Sequence, residues 1–489
     1  MTTVRTKTSR PSETRTFFGH PLGLANLFGV ELWERFSYYG MAAILTYYLY
    51  YSIANGGLGI PQSTALGIAG AYDGLLSISI ALGAWLADRV VGMERMVLYG
   101  GFVVLAGHLA LALLPGLAGM GVGVILVALG GGAVKANAST LLGTLYSRQD
   151  PRRDAGFSLF YFGITLGSFL GPLITGAMQQ DFGFHIGFGI AAIGMALGLI
   201  QYVAFRRNLG DAGKSPSDPL SRNGRIKVAA IAAGILGVIV VAIVTGMVRL
   251  DNVSQIATVV LLVGLVGYFA VMLKSPKVDA VERNRIRSFI PICIAVVVFW
   301  ALSAQMFTAL AVYSDERINW DVFGWDMPPS YFFLLETIWV LPLLLVASAV
   351  WTRLGDRAPS SPVKLGVGVI LVGISFLLFL TMSGGTGKSS PLLAVFFILF
   401  FFALGEMLVA PVGLSVTTKL APKAFRAQMM AFYYFAVGLG STITGTVSGL
   451  YSRDTEVQYF ACAGAIPIVV GLGLLLGRRW IGRMMEGVR

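Results

Sequence analysis

The sequence ELWERFSYYG, from Glu31 to Gly40, places two glutamates and an arginine inside an otherwise apolar segment. The segment runs from about residue 23 to about residue 53, and a helix needs about 20 apolar residues to cross a bilayer. Spacings of three and four residues place Glu31, Glu34 and Arg35 on one helical face. A charge near the bilayer centre costs about 2.5–3.5 kcal/mol on insertion scales, so these groups should face one another or a water-filled cavity. A functional cluster is the favoured interpretation, and a structural ion pair that fixes helix packing is the alternative.

The composition excludes a soluble globular protein. Of the 489 residues, 56% are hydrophobic and 12% are charged, the mean hydropathy is +0.76, and soluble domains carry about 25% charged residues. The two cysteines, Cys293 and Cys462, fall in apolar segments, which argues against a disulfide or a metal site. No HExxH, GxSxG or Walker motif is present, so we expect neither an enzyme nor a cofactor.

Fourteen apolar segments are long enough to form membrane helices. They lie at about residues 23–53, 63–88, 94–114, 118–145, 153–178, 184–205, 226–249, 254–273, 286–314, 329–352, 363–382, 391–417, 425–450 and 457–478.

The basic residues predict how these helices are oriented. Of the 36 Lys and Arg residues, 30 fall in segments on the side of the amino terminus, four fall in loops on the other side and two lie within the membrane. The four are Arg249, Arg317, Lys388 and Arg453, and the two are Arg35 and Lys135. The positive-inside rule therefore predicts a multi-pass protein of the cell membrane with both termini cytoplasmic. The net charge of +12 then needs no nucleic-acid partner.

Two segments of the chain align with each other at a constant offset of 273 residues. RRDAGFSLFYFGITLGS (152–168) matches FRAQMMAFYYFAVGLGS (425–441), with Arg153 opposite Arg426 and Tyr161 opposite Tyr434. Repeats of six helices are typical of transporters whose substrate site lies between the two halves. Chance similarity between apolar segments is the alternative.

The repeat predicts the domain organisation. We expect a cytoplasmic basic arm (1–22), an N-terminal six-helix bundle (23–205), a cytoplasmic connector with an inserted two-helix hairpin (206–285), a C-terminal six-helix bundle (286–480) and a cytoplasmic tail (481–489). The hairpin carries no charge between Lys227 and Arg249, so we expect it to be peripheral.

The motif ExxERFxYYG in a first membrane helix resembles the signature of the proton-dependent oligopeptide transporters, a family of the major facilitator superfamily. It is complete here: Glu31, Glu34, Arg35, Phe36, Tyr38, Tyr39 and Gly40. A second stretch, from Gly405 to Met430, resembles the family's second signature, and the resemblance covers about residues 18–480. It implies an all-α major facilitator fold, that is, two six-helix bundles plus the inserted hairpin, 14 transmembrane helices in total.

The resemblance also implies a function. We expect a proton-coupled symporter that imports di- and tripeptides by alternating access, without a cofactor, as a monomer. Its partners would be small peptides or peptide-like substrates, protons and the lipid bilayer. Transport or export of a peptide-like metabolite or drug, with altered proton coupling, is the alternative. A sensor that binds without turnover is a more distant one.

The resemblance assigns roles to individual charged residues. Glu31, Glu34 and Arg35 take part in proton coupling, and Arg35 also holds the peptide carboxylate. Lys135 exchanges partners between a first-helix glutamate and that carboxylate, a static lysine–glutamate pair being the alternative. Glu406, the single acid in an apolar span, receives the peptide's amino terminus, as a carboxylate can do for an ammonium within about 4 Å.

Aromatic residues and a loop complete the candidate site. Candidates for the pocket wall are Tyr38, Tyr39, Tyr161, Trp300 and Tyr433, with Tyr47 and Tyr434 in the same set, although most membrane aromatics only pack or form interface belts. Asp88 and Arg89 lie in a loop that resembles the gating loop of major facilitators, with Asp356 and Arg357 as its counterpart. A solvated turn is the alternative.

The chain departs from the family pattern where substrate should bind. Two residues of the family's external gate are replaced by Ala42 and Ala304, a change that leaves no unpaired charge. Thr165 stands in place of an asparagine and remains a candidate substrate ligand. The other departures are Ser77, the unexpected acid Asp73, and Glu336 in place of an asparagine.

Glu336 is the candidate proton site, because it lies in an apolar run and the family's usual acid is absent. Hydrogen bonding to the substrate amino group beside Glu406 is the equally weighted alternative, and Glu31, Glu34 and Asp73 are rival proton sites.

Overall fold

A computed structural model describes residues 16–147, 150, 152–354 and 357–487. Residues 1–15 of the predicted basic arm, Asp356 of the second loop and the last two residues of the tail lie outside these ranges. The described chain is almost entirely helical. Its helices are α1 (Leu22–Tyr50), α2 (Gln62–Leu86), α3 (Met93–Leu113), α4 (Gly116–Thr144), α5 (Arg153–Phe182), α6 (Phe184–Phe205), α7 (Arg222–Val244), α8 (Val253–Lys274), α9 (Ala280–Ser303), α10 (Ala309–Arg317), α11 (Phe332–Leu354), α12 (Ser361–Leu378), α13 (Leu392–Leu420), α14 (Arg426–Ser448) and α15 (Glu456–Met484).

The predicted all-α membrane architecture is confirmed. Within the described residues, twelve helical segments are long and apolar enough to cross a membrane, with α9 and α10 forming one bent segment. Two further helices have the same length but a more polar composition: α1 carries the charged motif, and α14 is rich in Gly, Ser and Thr. Together they make the fourteen helices expected from the sequence.

Successive helices alternate in direction, so the loops collect at two ends of the molecule. The connector end contains residues 206–221, between α6 and α7. The opposite end, named here the Asp315 end, contains the loop between α10 and α11, in which three of the four short strands lie. β1 (Ile318–Asn319) pairs in parallel with β4 (Ser390–Pro391), and β2 (Asp321–Val322) pairs antiparallel with β3 (Trp325–Asp326).

The two halves of the molecule meet where α2 crosses α14. A Cβ atom added to Gly70 would lie 2.5 Å from the Cα of Gly445, and one added to Gly438 would lie 2.6 Å from the Cβ of Ser77. Small residues at a membrane-helix contact allow the two backbones to approach closely. The internal repeat is visible here too, because α5 begins at Arg153 and α14 at Arg426, the two positions aligned in the sequence.

The inserted hairpin consists of α7 and α8, and the two helices differ in their surroundings. α7 has no buried residue, as expected for a peripheral helix. α8 packs against α2 and α14, one helix from each half, and Ser254 donates a hydrogen bond of 2.7 Å to the carbonyl of Thr442. Leu261 and Leu265 on α8 are buried in this contact. The hairpin therefore covers the seam between the halves with one helix only.

The segment that contains Ala304 is bent. A 3-10 turn at Ala304–Phe307 separates α9 from α10, and Gln305 in that turn accepts a hydrogen bond of 2.8 Å from the hydroxyl of Tyr459. The bend directs Phe307 towards α1, where the carbonyl of Phe307 accepts a hydrogen bond from Thr46.

Candidate functional site

The charged motif of α1 forms a compact cluster in the N-terminal half. Arg35 contacts Glu34 through two guanidinium nitrogens, and its Nε lies 3.4 Å from Glu31 Oε1. All three side chains are buried, so each charge depends on its neighbours. The predicted pairing at a spacing of four is present, and the adjacent residue Glu34 supplies the closer contact.

Lys135 on α4 faces the same cluster. It lies close enough to interact electrostatically with Arg35, Glu34, Glu31 and Asp73, yet no carboxylate oxygen of the described residues lies within 4.0 Å of its ammonium. The side chain is only half-buried. Lys135 can therefore accept an additional anionic partner.

Asp73 on α2 joins the cluster through Tyr38. The Tyr38 hydroxyl donates to Asp73 Oδ1 at 3.1 Å, and the Arg35 guanidinium carbon lies 5.2 Å from the centre of the Tyr38 ring. A guanidinium at this distance from an aromatic face is attracted to the ring. The sequence marked Asp73 as an unexpected acid, and the structure gives it a partner from the motif itself.

A second set of acidic residues lies in the C-terminal half. The carboxyl groups of Glu336 on α11 and Glu406 on α13 are within hydrogen-bonding distance of each other. Glu336 is 3% exposed, Glu406 is half-buried, and no Lys or Arg nitrogen of the described residues lies within 4.0 Å of either. Two carboxyl groups in contact hold a proton between them, because two adjacent negative charges repel strongly. We call Glu336 and Glu406 the carboxyl pair.

Aromatic side chains line the space between the cluster and the carboxyl pair. Tyr39 interacts electrostatically with Arg35 on one side and with Glu406 and Glu336 on the other. Its ring stacks on Phe333, with ring centres 5.1 Å apart. Tyr39 therefore lies between the basic groups and the carboxyl pair, and we call the region that these groups surround the cavity.

The other predicted aromatic residues on α5, α9 and α14 interact with these charged groups or with one another. Tyr161 interacts with both members of the carboxyl pair, and Tyr434 interacts with Arg35 and Glu31. The indole N–H of Trp300 approaches the Tyr433 hydroxyl without a hydrogen bond of standard geometry, so it remains a free donor. Tyr433 is buried and Tyr161 is 42% exposed.

Two polar candidates donate hydrogen bonds to backbone carbonyls and not to the charged groups. The hydroxyl of Thr165 donates to the carbonyl of Tyr161 at 3.1 Å, within its own helix. Tyr47 is not in the cavity wall: its hydroxyl donates to the carbonyls of Ala311 and Pro329 near the Asp315 end. A tyrosine two turns further along α1 than Tyr39 is too distant to reach the same space.

The Asp315 end is closed by contacts that the sequence did not reveal. Asp315 on α10 accepts hydrogen bonds from Tyr50 at 2.6 Å and from Tyr51 at 2.9 Å, across the two halves. Ala42, at the position of the missing gate arginine, instead lines a cavity of about 10 Å³ with Asp73 and other residues. Adjacent tyrosines at a helix end are typical of an interface belt, so only the three-dimensional pairing reveals this link.

Asp88 and Arg89 lie at the connector end and contact the connector itself. Ser217 donates to Asp88 Oδ1 at 2.8 Å, and Arg89 lies 2.9 Å from Asp218. The backbone N–H of Asp218 donates to the Asp88 carbonyl at 3.0 Å. The loop is therefore bound to the connector and is not a bare solvated turn. These bonds do not join it to a helix of the other half.

Comparison with known proteins gives a consistent result. The model of the POT family (PTR2) matches residues 94–466. The chain is 44% identical to the uncharacterized transporter YclF of Bacillus subtilis over 96% of both chains. It is 38% identical to a di-/tripeptide transporter of Lactococcus lactis subsp. cremoris, over 97% of this chain and 98% of the relative.

Solved structures agree with the sequence relatives. A peptide transporter POT crystallised with sulfate is 42% identical, with a TM-score of 0.93, over 97% of this chain and 98% of that one. A POT family transporter crystallised with 5-aminolevulinic acid is 36% identical, with a TM-score of 0.90, over 96% and 98% of the two chains. The predicted major facilitator fold is thereby confirmed. The chain belongs to the POT family, the proton-dependent oligopeptide transporters that its first-helix motif indicated.

Proposed function

We propose that this protein is a proton-coupled symporter that imports di- and tripeptides by alternating access. The observation that carries the proposal is the position of Tyr39, which interacts with Arg35 on one side and with the carboxyl pair on the other. A peptide zwitterion has the complementary charges at its two ends. Relatives named as di-/tripeptide transporters support the same substrate class.

The proposed roles follow from the positions of the charged groups. Arg35 and Lys135 hold the peptide carboxylate, and Lys135 is suited to this because it lacks a close carboxylate. Glu406 holds the ammonium group, and Glu336 lies beside it. Tyr38, Tyr39, Tyr161, Thr165, Trp300 and Tyr433 form the wall. Recognition through the two ends of the backbone tolerates many side chains.

Proton coupling in this proposal uses the carboxyl pair together with Glu31, Glu34 and Arg35. The carboxyl pair carries one proton while its remaining negative charge holds the substrate ammonium, so proton and peptide cross the membrane together. The membrane potential contributes about 2.3 kcal/mol per proton per 100 mV, before any pH gradient is added.

In the proposed orientation the protein spans the cell membrane, and both termini and the connector end lie on the cytoplasmic side. The Asp315 end is then external, and its closure by Tyr50, Tyr51 and Asp315 corresponds to a state that does not admit substrate from outside. Asp88 and Arg89 then act at the cytoplasmic gate, through the connector that they contact.

Transport or export of a peptide-like metabolite or drug is the second candidate function. A relative 36% identical to this chain has been crystallised with 5-aminolevulinic acid, which is not a peptide. Ala42 and Ala304 replace two residues of the family's external gate, so this chain departs from the pattern of the peptide-transporting relatives. An α-amino group and a carboxylate on a smaller body would satisfy the same two groups.

Counterflow in proteoliposomes tests the peptide assignment. Glu406→Gln removes a carboxylate proposed to hold the ammonium, so free dipeptides should lose at least about tenfold in counterflow, as expected when one charged hydrogen bond is lost. Amino-terminally acetylated dipeptides have no ammonium and should change much less. Asp181→Asn, which removes an exposed acid far from the cavity, serves as the control.

Two outcomes would contradict the assignment. Equal loss for free and acetylated peptides would reject the role of Glu406. Exchange of amino-acid-like metabolites, with no exchange of any dipeptide by the unmodified protein, would favour the second candidate function.

A further inference from the structure

The carboxyl pair has no cation of its own. Among the described residues, no Lys or Arg nitrogen lies within 4.0 Å of Glu336 or Glu406. The titratable groups that face the pair from other helices are Tyr39 on α1 and Tyr161 on α5, both neutral at physiological pH. One oxygen of Glu336 is buried without a hydrogen-bond partner. The pair is therefore short of positive charge and of donors.

The whole cavity has the same imbalance. Its acidic groups outnumber its basic groups, and they are Glu31, Glu34, Asp73, Glu336 and Glu406 against Arg35 and Lys135. In the N-terminal half, Arg35 and Lys135 face three of these acids and leave one negative charge unmatched, and the carboxyl pair contributes the other two. Buried charges need opposite charges or bound protons. A zwitterionic peptide brings no net charge and leaves the surplus unchanged.

We propose that Glu336 enables the site that receives the peptide's amino terminus to hold two cations. This transporter then favours peptides whose first residue is basic. The inference rests on the proposed function and names a substrate class for it. One carboxylate binds the α-ammonium group, and the other binds the ammonium or guanidinium of the first side chain. The proton shared by the empty pair passes to cavity water when the second cation binds.

Position within the peptide matters in this proposal. Lys-Ala and Ala-Lys have the same composition and the same net charge. The carboxyl pair lies in the C-terminal half, whereas Arg35 and Lys135, which receive the carboxylate end, lie in the other half. A lysine at the second residue is held nearer to those cations and is repelled by them. Lys-Ala should therefore bind more tightly than Ala-Lys.

The proposal also predicts how binding changes with pH. A peptide with a neutral first residue leaves one carboxyl without a cation, so the pair keeps its proton and releases none on binding. A basic first side chain replaces the proton. Because binding of Lys-Ala releases that proton, the affinity for Lys-Ala should rise more steeply with pH than the affinity for Ala-Ala.

Competition against labelled Ala-Ala in proteoliposome counterflow tests the inference. In the unmodified protein, Lys-Ala should compete at a concentration at least about tenfold lower than Ala-Lys, the size expected for one desolvated charge pair. In Glu336→Gln this ratio should fall to about one, while Glu336→Asp should keep part of it. Asp181→Asn should keep the full ratio.

Equal competition by Lys-Ala and Ala-Lys in the unmodified protein would overturn the proposal, and so would a ratio that persists in Glu336→Gln. Absence of Ala-Ala exchange would instead refute the proposed function. The shift in thermal unfolding produced by each dipeptide in the purified, unmodified protein then still decides the inference, since binding needs no turnover. That measurement also serves if Glu336→Gln does not fold.

Discussion

Lys135 and Arg35 are both cations of the cavity, but they differ in what surrounds them. Arg35 is buried and contacts two glutamates, whereas Lys135 is half-buried and has no carboxylate within 4.0 Å among the described residues. A buried arginine with two partners is a fixed element of the site. We therefore expect Lys135 to be the cation that changes partner when substrate enters.

Replacing Lys135 tests this difference at the residue scale. Lys135→Gln should reduce counterflow of free dipeptides by about tenfold to a hundredfold, because a charged hydrogen bond contributes about 1.5–3 kcal/mol. Dipeptides with an amidated carboxyl end should lose much less. Ser139→Ala, one turn further along α4 on an exposed position, is the matched control. The same loss for amidated and free peptides would contradict a role in holding the carboxylate.

Residue spacing could predict part of this site and not the rest. It correctly placed Glu31, Glu34 and Arg35 on one face, because they share one helix. The contact between Glu336 and Glu406 joins helices about 70 residues apart in sequence, and only the family resemblance suggested that they are neighbours. The contact between Tyr38 and Asp73 depends on how α1 and α2 pack, which periodicity does not determine.

At the scale of elements, two parts of α1 make different contacts. Its charged motif faces the cavity, and its last turn, with Tyr50 and the following residue Tyr51, binds Asp315 on α10. Hydrogen bonds from neutral hydroxyls to one carboxylate therefore join the two halves at this end. The fourteen-helix pattern was predictable from apolar length alone, but this cross-half contact was not, since tyrosines at helix ends usually contact lipid headgroups.

Weakening this contact should open the Asp315 end. In Tyr50→Phe/Tyr51→Phe both donors to Asp315 are lost, and each lost hydrogen bond contributes about 0.5–1.5 kcal/mol. We expect a larger population of states with separated ends, measured as longer spin-label distances between Ile53→Cys and Phe323→Cys, both exposed positions. The labelled protein should carry Cys293→Ser and Cys462→Ser so that only the new cysteines react.

Tyr99→Phe is a suitable control, since Tyr99 is exposed on α3 at the other end. An unchanged distance distribution in the double variant would show that Tyr50 and Tyr51 do not hold the two halves together.

At the scale of the whole molecule, the connector end and the Asp315 end should face opposite sides of the membrane. The 30 to four distribution of basic residues predicts that the connector end is cytoplasmic. In the cysteine-free background, Phe323→Cys should react with a membrane-impermeant thiol reagent in intact cells, and Ser215→Cys only after the cells are opened. Both positions are exposed, so a missing reaction reflects the membrane. The reverse pattern would overturn the proposed topology.

The close contact between Gly70 and Gly445 divides α2 into two parts of unequal length. Gly70 lies eight residues from the start of α2 and sixteen from its end, which at 1.5 Å per residue gives arms of about 12 Å and about 24 Å. If the two halves rotate about this contact, a given rotation moves the connector end about twice as far as the Asp315 end. In the proposed orientation, the cytoplasmic opening would then be wide and the external opening narrow. The size of a substrate would therefore be limited where it enters and not where it leaves.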